Sequence, residues 1–196
     1  MIKVTLIYHS ISNNSTMKAK ITANGVLVGG NVLVSNEKEA NSLYQKGFYG
    51  EMKSGGKLTL ALIEAIYLVE KNKLVVKKGK TAKKELTVED LLKLGEKIDE
   101  QICPQYVAYT DLRDKGYLVK TGFKFGAHFR IYNRGEIPGQ AHSEAMVHAV
   151  PEYYNLTMTE LSRIIRLGHS VKKQMWLAVV DNENDVTYYK TGRITP

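Results

Sequence analysis

Three groups of residues in the second half of the chain have the types and spacing for acid–base and anion chemistry. The stretch FGAHFRIYNRGEIPGQAHSEAMVH, residues 125–148, holds two of them. In HFRIY, strand alternation sets His128, Arg130 and Tyr132 on one face and Phe129 and Ile131 on the other, which reads as core. Tyr132 closes that strand before a loop containing Gly135, Pro138 and Gly139, and His142 follows the loop. A histidine exchanges protons near neutrality. Downstream, RIIRLGHSVKKQ (residues 163–174) spaces Arg166, His169 and Lys173 three and four apart. They share a face if the helix continues past Gly168, and a bound anion would relieve the repulsion in such a row. Each group also has an ordinary reading. Tyr132 is then a rim tyrosine bonded to backbone, His142 an exposed surface histidine, and the basic row a complement to a helix dipole. Glu144 lies close enough in sequence to His142 to influence its charge.

Other chemistries find no support. The sequence has no HExxH, no GxxxxGK[ST], no EF-hand loop and no paired Cys–His spacing. The single Cys103 excludes an internal disulfide and a multi-cysteine metal knuckle, and reads as a buried small hydrophobe. Asp111 and Asp114 read as exposed helix residues paired with Arg113 or Lys115. No convergent carboxylate cluster suggests a two-metal site. Tyrosine, histidine and lysine together point to acid–base work with electrostatic support and no metal.

The elements that position these residues follow from pattern. MIKVTLIYH at residues 1–9 reads as a strand. KAKITANGVLVGGNVLVS reads as one or two short strands, with turns at Asn24-Gly25 and Gly29-Gly30. NEKEANSLYQKG is a short helix stopped by Gly47, GFYGEMKSGG a loop, and LTLALIEAIYLVEKN a helix with a broad apolar face. Seven lysines between Lys71 and Lys84 surround LVV, as a solvated hairpin or a nucleic-acid footprint. Thr87 caps a helix running to about Glu100. A helix over YVAYTDLRDKG stops at Gly116. YLVKTG, HFRIYN, AMVHAV, the buried QMWLAVVD and the turn-strand NENDVTYYKTGRI complete the second half. Its one further helix opens on the capping box at Thr157–Glu160, with Leu161, Ile164, Ile165 and Gly168 on one side. The expected fold is mixed α/β. Residues 1–86 form a small α/β domain, 87–103 a linking helix and boundary, and 104–196 a domain with a mixed, mostly antiparallel sheet and flanking helices.

Composition sets the outer bounds. With 43% hydrophobic and 24% charged residues among 196, the chain can bury a core. The most apolar run is broken by Glu64, and no leader pattern opens the chain, so a cytoplasmic, non-membrane protein is expected. The net charge of +8 favours a polyanionic partner. All 16 basic residues of 1–100 are lysines, whereas residues 101–196 carry all six arginines. Arginine suits planar phosphate and base recognition, which locates the candidate surface in the second half.

The segments YTDLRDKGYLVKTGFKFGAHFRIY, HSEAMVHAV and RLGHSVKK resemble archaeal tRNA-splicing endonuclease (tRNA-intron endonuclease) subunits, with weaker similarity continuing through YQKGFYGEMKSGGKLTLALIEAIYLVEKNKL to the N-terminal domain. The resemblance implies a C-terminal nuclease domain whose catalytic set is Tyr132, His142 and Lys173. It implies Arg166, with Arg193 as the second arginine, for holding an extruded bulge nucleotide. Asp181, Glu183 and Asp185 become the acidic contact between subunits. The implied substrate is precursor tRNA folded as a bulge-helix-bulge, cut without metal or other cofactor by attack of a ribose 2′-hydroxyl. The expected products carry 2′,3′-cyclic phosphate and 5′-hydroxyl ends. A free phenol holds its proton at neutral pH, so Tyr132 is either a base or a positioning group. Two junctions imply an assembly, a homotetramer or a heterotetramer with a structural paralogue. The alternatives are a noncatalytic RNA-binding or structural subunit of such an assembly, or a metal-dependent DNA nuclease of related fold.

Overall fold

The computed structural model describes residues 23–79, 84–122 and 126–194. The strand expected over residues 1–9 and the lysines at 80 and 83 lie outside them. The chain divides into two units, residues 1–103 and 104–196.

In the first unit, β1 (Ala23–Val28), β2 (Asn31–Val34), β3 (Glu51–Lys53), β4 (Lys57–Ala61), β5 (Leu74–Lys77) and β6 (Glu85–Leu86) form one sheet in the order β3-β4-β2-β1-β5-β6. Among the described strands of this unit, only β1 and β5 pair in parallel. Alternation buries Val32 and Val34 opposite Leu60 and Leu58, with Leu74 and Val76 on β5. Against these lie α1 (Glu37–Gly47), α2 (Leu62–Glu70) and α3 (Val88–Glu96), and α3 packs on α2.

Three local expectations change here. Asn24-Gly25 is not a turn but part of β1, where Gly25 leaves no room for a side chain against Val32. GFYGEMKSGG contains β3, and LTLALIEAIYLVEKN is a strand followed by a helix. The Leu58-Thr59-Leu60 alternation has period two, and the apolar stretch Leu60-Ala61-Leu62-Ile63 that follows fits either period. Glu64 ends the strand there: its buried carboxylate accepts from the Gly50 N–H (3.0 Å) and the Ala61 N–H (2.9 Å). It thereby satisfies a donor at the start of α2. Thr87 caps α3 as expected, but that helix ends at Glu96, and Asp99 accepts from Gln101 N–H in the turn beyond.

In the second unit, α4 (Ile102–Asp114) begins before Pro104, which its first turn tolerates. Gly116 ends that region with φ 90°. Strands β7 (Leu118–Thr121), β8 (Phe129–Tyr132), β9 (Ala145–Pro151), β10 (Gln174–Val180) and β11 (Val186–Thr191) lie in the order β11-β10-β9-β8-β7. The sheet is mixed and mostly antiparallel, and only β9 and β10 run parallel. Their connection is α5 (Met158–Ser170), which opens on the Thr157–Glu160 capping box. Ile164 and Gly168 are buried, Leu161 and Ile165 half-buried, and Ile164 and Leu167 pack with Ala127, Met146 and Met175. Strand β10 is less buried than its composition suggests. Hydrogen bonds flank it on both edges, yet only Met175, Ala178 and Val180 are fully covered. No helix among the described residues is long and apolar enough to cross a membrane.

Candidate active site

Topology gathers the chemistry. Strand β8 ends at Tyr132, β9 starts at Ala145, and β10 starts at Gln174 parallel to β9 and antiparallel to β8. The end of β8 and the starts of β9 and β10 therefore share one end of the sheet. Tyr132 closes β8, His142 precedes β9 and Lys173 precedes β10, and the three line one cavity of about 350 Å³ with Arg130, Gln140 and Val171. No carboxylate lines it. Among the described residues the polar ends of Tyr132, His142 and Lys173 have no hydrogen-bond or ion-pair partner, although Tyr132 is only 5% exposed. Polar ends that face a cavity and remain unpaired are free to engage a ligand.

The loop carrying His142 is ordered by turns. Gly135 (φ 86°) and Gly139 (φ 95°) adopt backbone angles that favour glycine. Asn133 N–H donates to Glu136 Oε2 (2.8 Å), and Ala141 N–H to the Ile137 carbonyl (2.9 Å). Glu144 does not bond His142; it accepts from Asn133 Nδ2 at 3.3 Å and so ties the loop's two ends together. His128, on the same strand face as Tyr132, does not line the cavity. Its Nδ1 accepts from Ala149 N–H (3.0 Å), and its ring stacks on His148 at 4.2 Å between centroids. Burial holds His148 below the usual histidine range, against the opposing pull of Glu160.

Lys173 is not on the helix with Arg166 and His169, because α5 ends at Ser170. Lys172 takes a left-handed conformation (φ 52°), its N–H reaching the His169 carbonyl and the Lys173 N–H the Gly168 carbonyl (2.8 Å). These two bonds form a Schellman motif with lysine where glycine is usual. They fix the Lys173 backbone one residue before β10. Gly168 fits closely beneath it, since a Cβ there would lie 3.1 Å from the Lys173 carbonyl oxygen and from Met175 Cβ.

Arg166 and Arg193 do not enter this cavity. They line another, of about 680 Å³, with Met158, Ser162 and Ile165. Arg166 Nε donates to the Ser162 carbonyl at 3.3 Å. Asp181, Glu183 and Asp185 cluster in the β10–β11 turn with carboxylate oxygens within 4.8 Å of one another. Asp181 Oδ1 accepts from the Glu183 (2.9 Å) and Asp185 (2.8 Å) N–H groups, so the turn itself holds that carboxylate. Arg130, which alternates with Tyr132 along HFRIY, does line the cavity beside it.

Residues 102–188 match the family "tRNA intron endonuclease, catalytic C-terminal domain", and residues 23–92 match "tRNA intron endonuclease, N-terminal domain". The chain is 44% identical over 164 residues to a tRNA-splicing endonuclease of Thermococcus gammatolerans, covering 84% of this chain and 94% of that protein. It is 42% identical over 164 residues to that of Pyrococcus abyssi, covering 84% and 92%. For the protein of the same name from Methanothermobacter thermautotrophicus the identity is 40% over 158 residues, covering 80% and 89%. The chain belongs to the tRNA intron endonuclease family, carries both of its domains, and is an enzyme.

Proposed function

We propose that this protein is a cytoplasmic endoribonuclease that removes introns from precursor tRNA at bulge-helix-bulge junctions, without a metal ion. The observation that carries the reading is that Tyr132, His142 and Lys173 line one cavity whose described lining holds no carboxylate. Within residues 104–196, taken as the catalytic domain, Tyr132 orients the ribose 2′-hydroxyl or accepts its proton. The 2′-oxygen forms a bond to the adjacent phosphorus, the bond from phosphorus to the 5′-oxygen breaks, and His142 protonates that oxygen. The products are a 2′,3′-cyclic phosphate and a 5′-hydroxyl. Lys173 stabilises the negative charge that builds on the phosphoryl oxygens, a contribution that grows in a site shielded from water. The carboxylate-free lining supports this role because nothing there competes for the ammonium.

Arg166 and Arg193, which share the second cavity, hold bulged nucleotides, whose exposed faces stack on guanidinium planes. Residues 1–86 form the accessory domain, with 87–103 as the link. Two junctions per intron require two sites at fixed separation, so the working form is a homotetramer or a heterotetramer with a structural paralogue. The acidic turn at Asp181, Glu183 and Asp185 serves as its intersubunit contact.

The test is cleavage of a model intron RNA by the isolated chain in chelator, with end-group analysis. His142→Ala and Lys173→Ala are each expected to lower the single-turnover rate by about a hundredfold to ten-thousandfold while RNA binding survives. A 2′-deoxy nucleotide at the junction should abolish cutting there. Cleavage of that deoxy substrate at the normal rate would refute the mechanism.

A further inference from the structure

The first unit carries a lysine-rimmed groove that the reaction does not use. It lies between the β5–β6 hairpin and α3, with a volume of about 420 Å³ and Leu86 and Leu94 among its lining. Lys78 and Lys84 stand on the hairpin side, Lys93 and Lys97 on the helix side, and all four are exposed. Residues 90, 93 and 94 of α3 and Lys97 at its C-terminal cap recur at helical spacing and form the face turned to the groove, while Leu91, Leu92 and Gly95 face the core. Among the described residues Asp90 is the one carboxylate lining the groove, against four ammonium groups. It meets Lys84 at 3.4 Å and is held by Thr87 at the helix start, and Lys93 meets Glu89 at 2.6 Å. Lys78 and Lys97 have no ion-pair partner among the described residues. Lys93 and Lys97 are one helical turn apart, a like-charge pair that an anion between them would relieve.

We infer that this groove binds the phosphate backbone of double-helical RNA, as a second contact outside the cleavage site. The inference rests on the proposed function for its choice of polyanion, and its residue chemistry is independent of that choice. Lysine presents a point charge on a flexible stem, which suits phosphates at varied positions and carries no base preference. Residues 1–103 contain no arginine, so the unit lacks the planar group used for bidentate or stacked recognition. Contact with phosphate and no reading of bases fits the helical arms of a folded RNA, whose narrow major groove hides base edges from side chains.

The experiment measures binding of the full chain to a bulge-free RNA duplex of about 20 base pairs across a salt series. Each phosphate contact contributes about 0.9 to the slope of log affinity against log salt. Lys78→Ala with Lys97→Ala is therefore expected to reduce the slope by about 2, and to weaken binding at 0.1 M salt by about sixtyfold. A comparison pair, Lys46→Ala with Lys57→Ala, removes two exposed lysines of the same unit that lie outside the groove and should leave the slope unchanged. Thermal melts of both pairs check that the fold is intact. An unchanged slope in the groove pair, or an equal change in both pairs, overturns the inference. If wild-type protein still cuts intron RNA in that case, the groove assignment alone has failed. Wild-type protein that neither cuts nor binds RNA overturns both.

Discussion

Replacing Gly168 with alanine tests whether the turn after α5 sets the position of Lys173. The added Cβ would lie 3.1 Å from the Lys173 carbonyl oxygen and 3.1 Å from Met175 Cβ. Ordinary contact needs roughly a third of an ångström more, and the Gly168 carbonyl is itself bonded to Lys173 N–H. The methyl therefore pushes the first residues of β10 away from α5. Alanine gains about 1 kcal/mol of helix propensity over glycine, while overpacking costs about 1–3 kcal/mol, so the net change is a loss of about 0–2 kcal/mol. A misplacement of about 1 Å near a reacting centre costs on the order of a hundredfold in rate. Scaled to a third of that distance, cleavage should slow about fivefold. The assay is single-turnover cleavage of an intron RNA at saturating protein, read beside a denaturant titration. An unchanged rate together with raised stability would refute the reasoning, because the strand would then yield without moving its lysine.

Other outcomes follow from neighbouring features. Lys172→Gly removes a left-handed lysine at a cost of some glycine entropy, and should stabilise the protein by about 0.5–1 kcal/mol without slowing cleavage, as read by denaturant midpoint and rate. Glu160 is held below the usual glutamate range, first by the Thr157 hydroxyl and backbone. Its contribution is present above the unfolded value and lost as pH falls through the lower folded value. The stability gap between wild type and Glu160→Gln should therefore close in that acidic window, measured by thermal melts against pH. Burial, then Glu96, pushes the Cys103 thiol up to about 12. Alkylation at pH 8 should be on the order of a thousandfold slower in native than in urea-unfolded protein, and equal rates would contradict that environment.

Much of the second half was legible because its signals are local. HFRIY alternates and does bury Phe129 and Ile131, and Thr157 and Glu160 have capping-box spacing and form that box. The misreadings arose where short apolar runs fit two periods. LTLALIEAIYLVEKN holds an alternating start and a helical remainder, and the Glu64 carboxylate, bonded to the Ala61 and Gly50 N–H groups, marks the break. The shared face of Arg166, His169 and Lys173 was conditional on the helix continuing to Lys173, and that condition fails. Three- and four-residue spacing suggested one helical face, whereas Lys172 turns left-handed and ends the helix first. That Tyr132, His142 and Lys173 would border one cavity depends on β9 and β10 being parallel, which sequence order does not state. Arg166 with Arg193 is a pairing of the same nonlocal kind.

The Schellman turn between α5 and β10 has a fixed length, and the lysine before the strand inherits its address from that length. β10 aligns with β9 from Gln174 opposite Ala145 onward, a ladder that a residue inserted between Lys173 and Gln174 would leave untouched. The ammonium, however, would be displaced by as much as about 3.3 Å or swung to the opposite side of the chain. Stability and chemistry are thus separable at this spot: a length change here yields a folded protein whose cation no longer reaches its place.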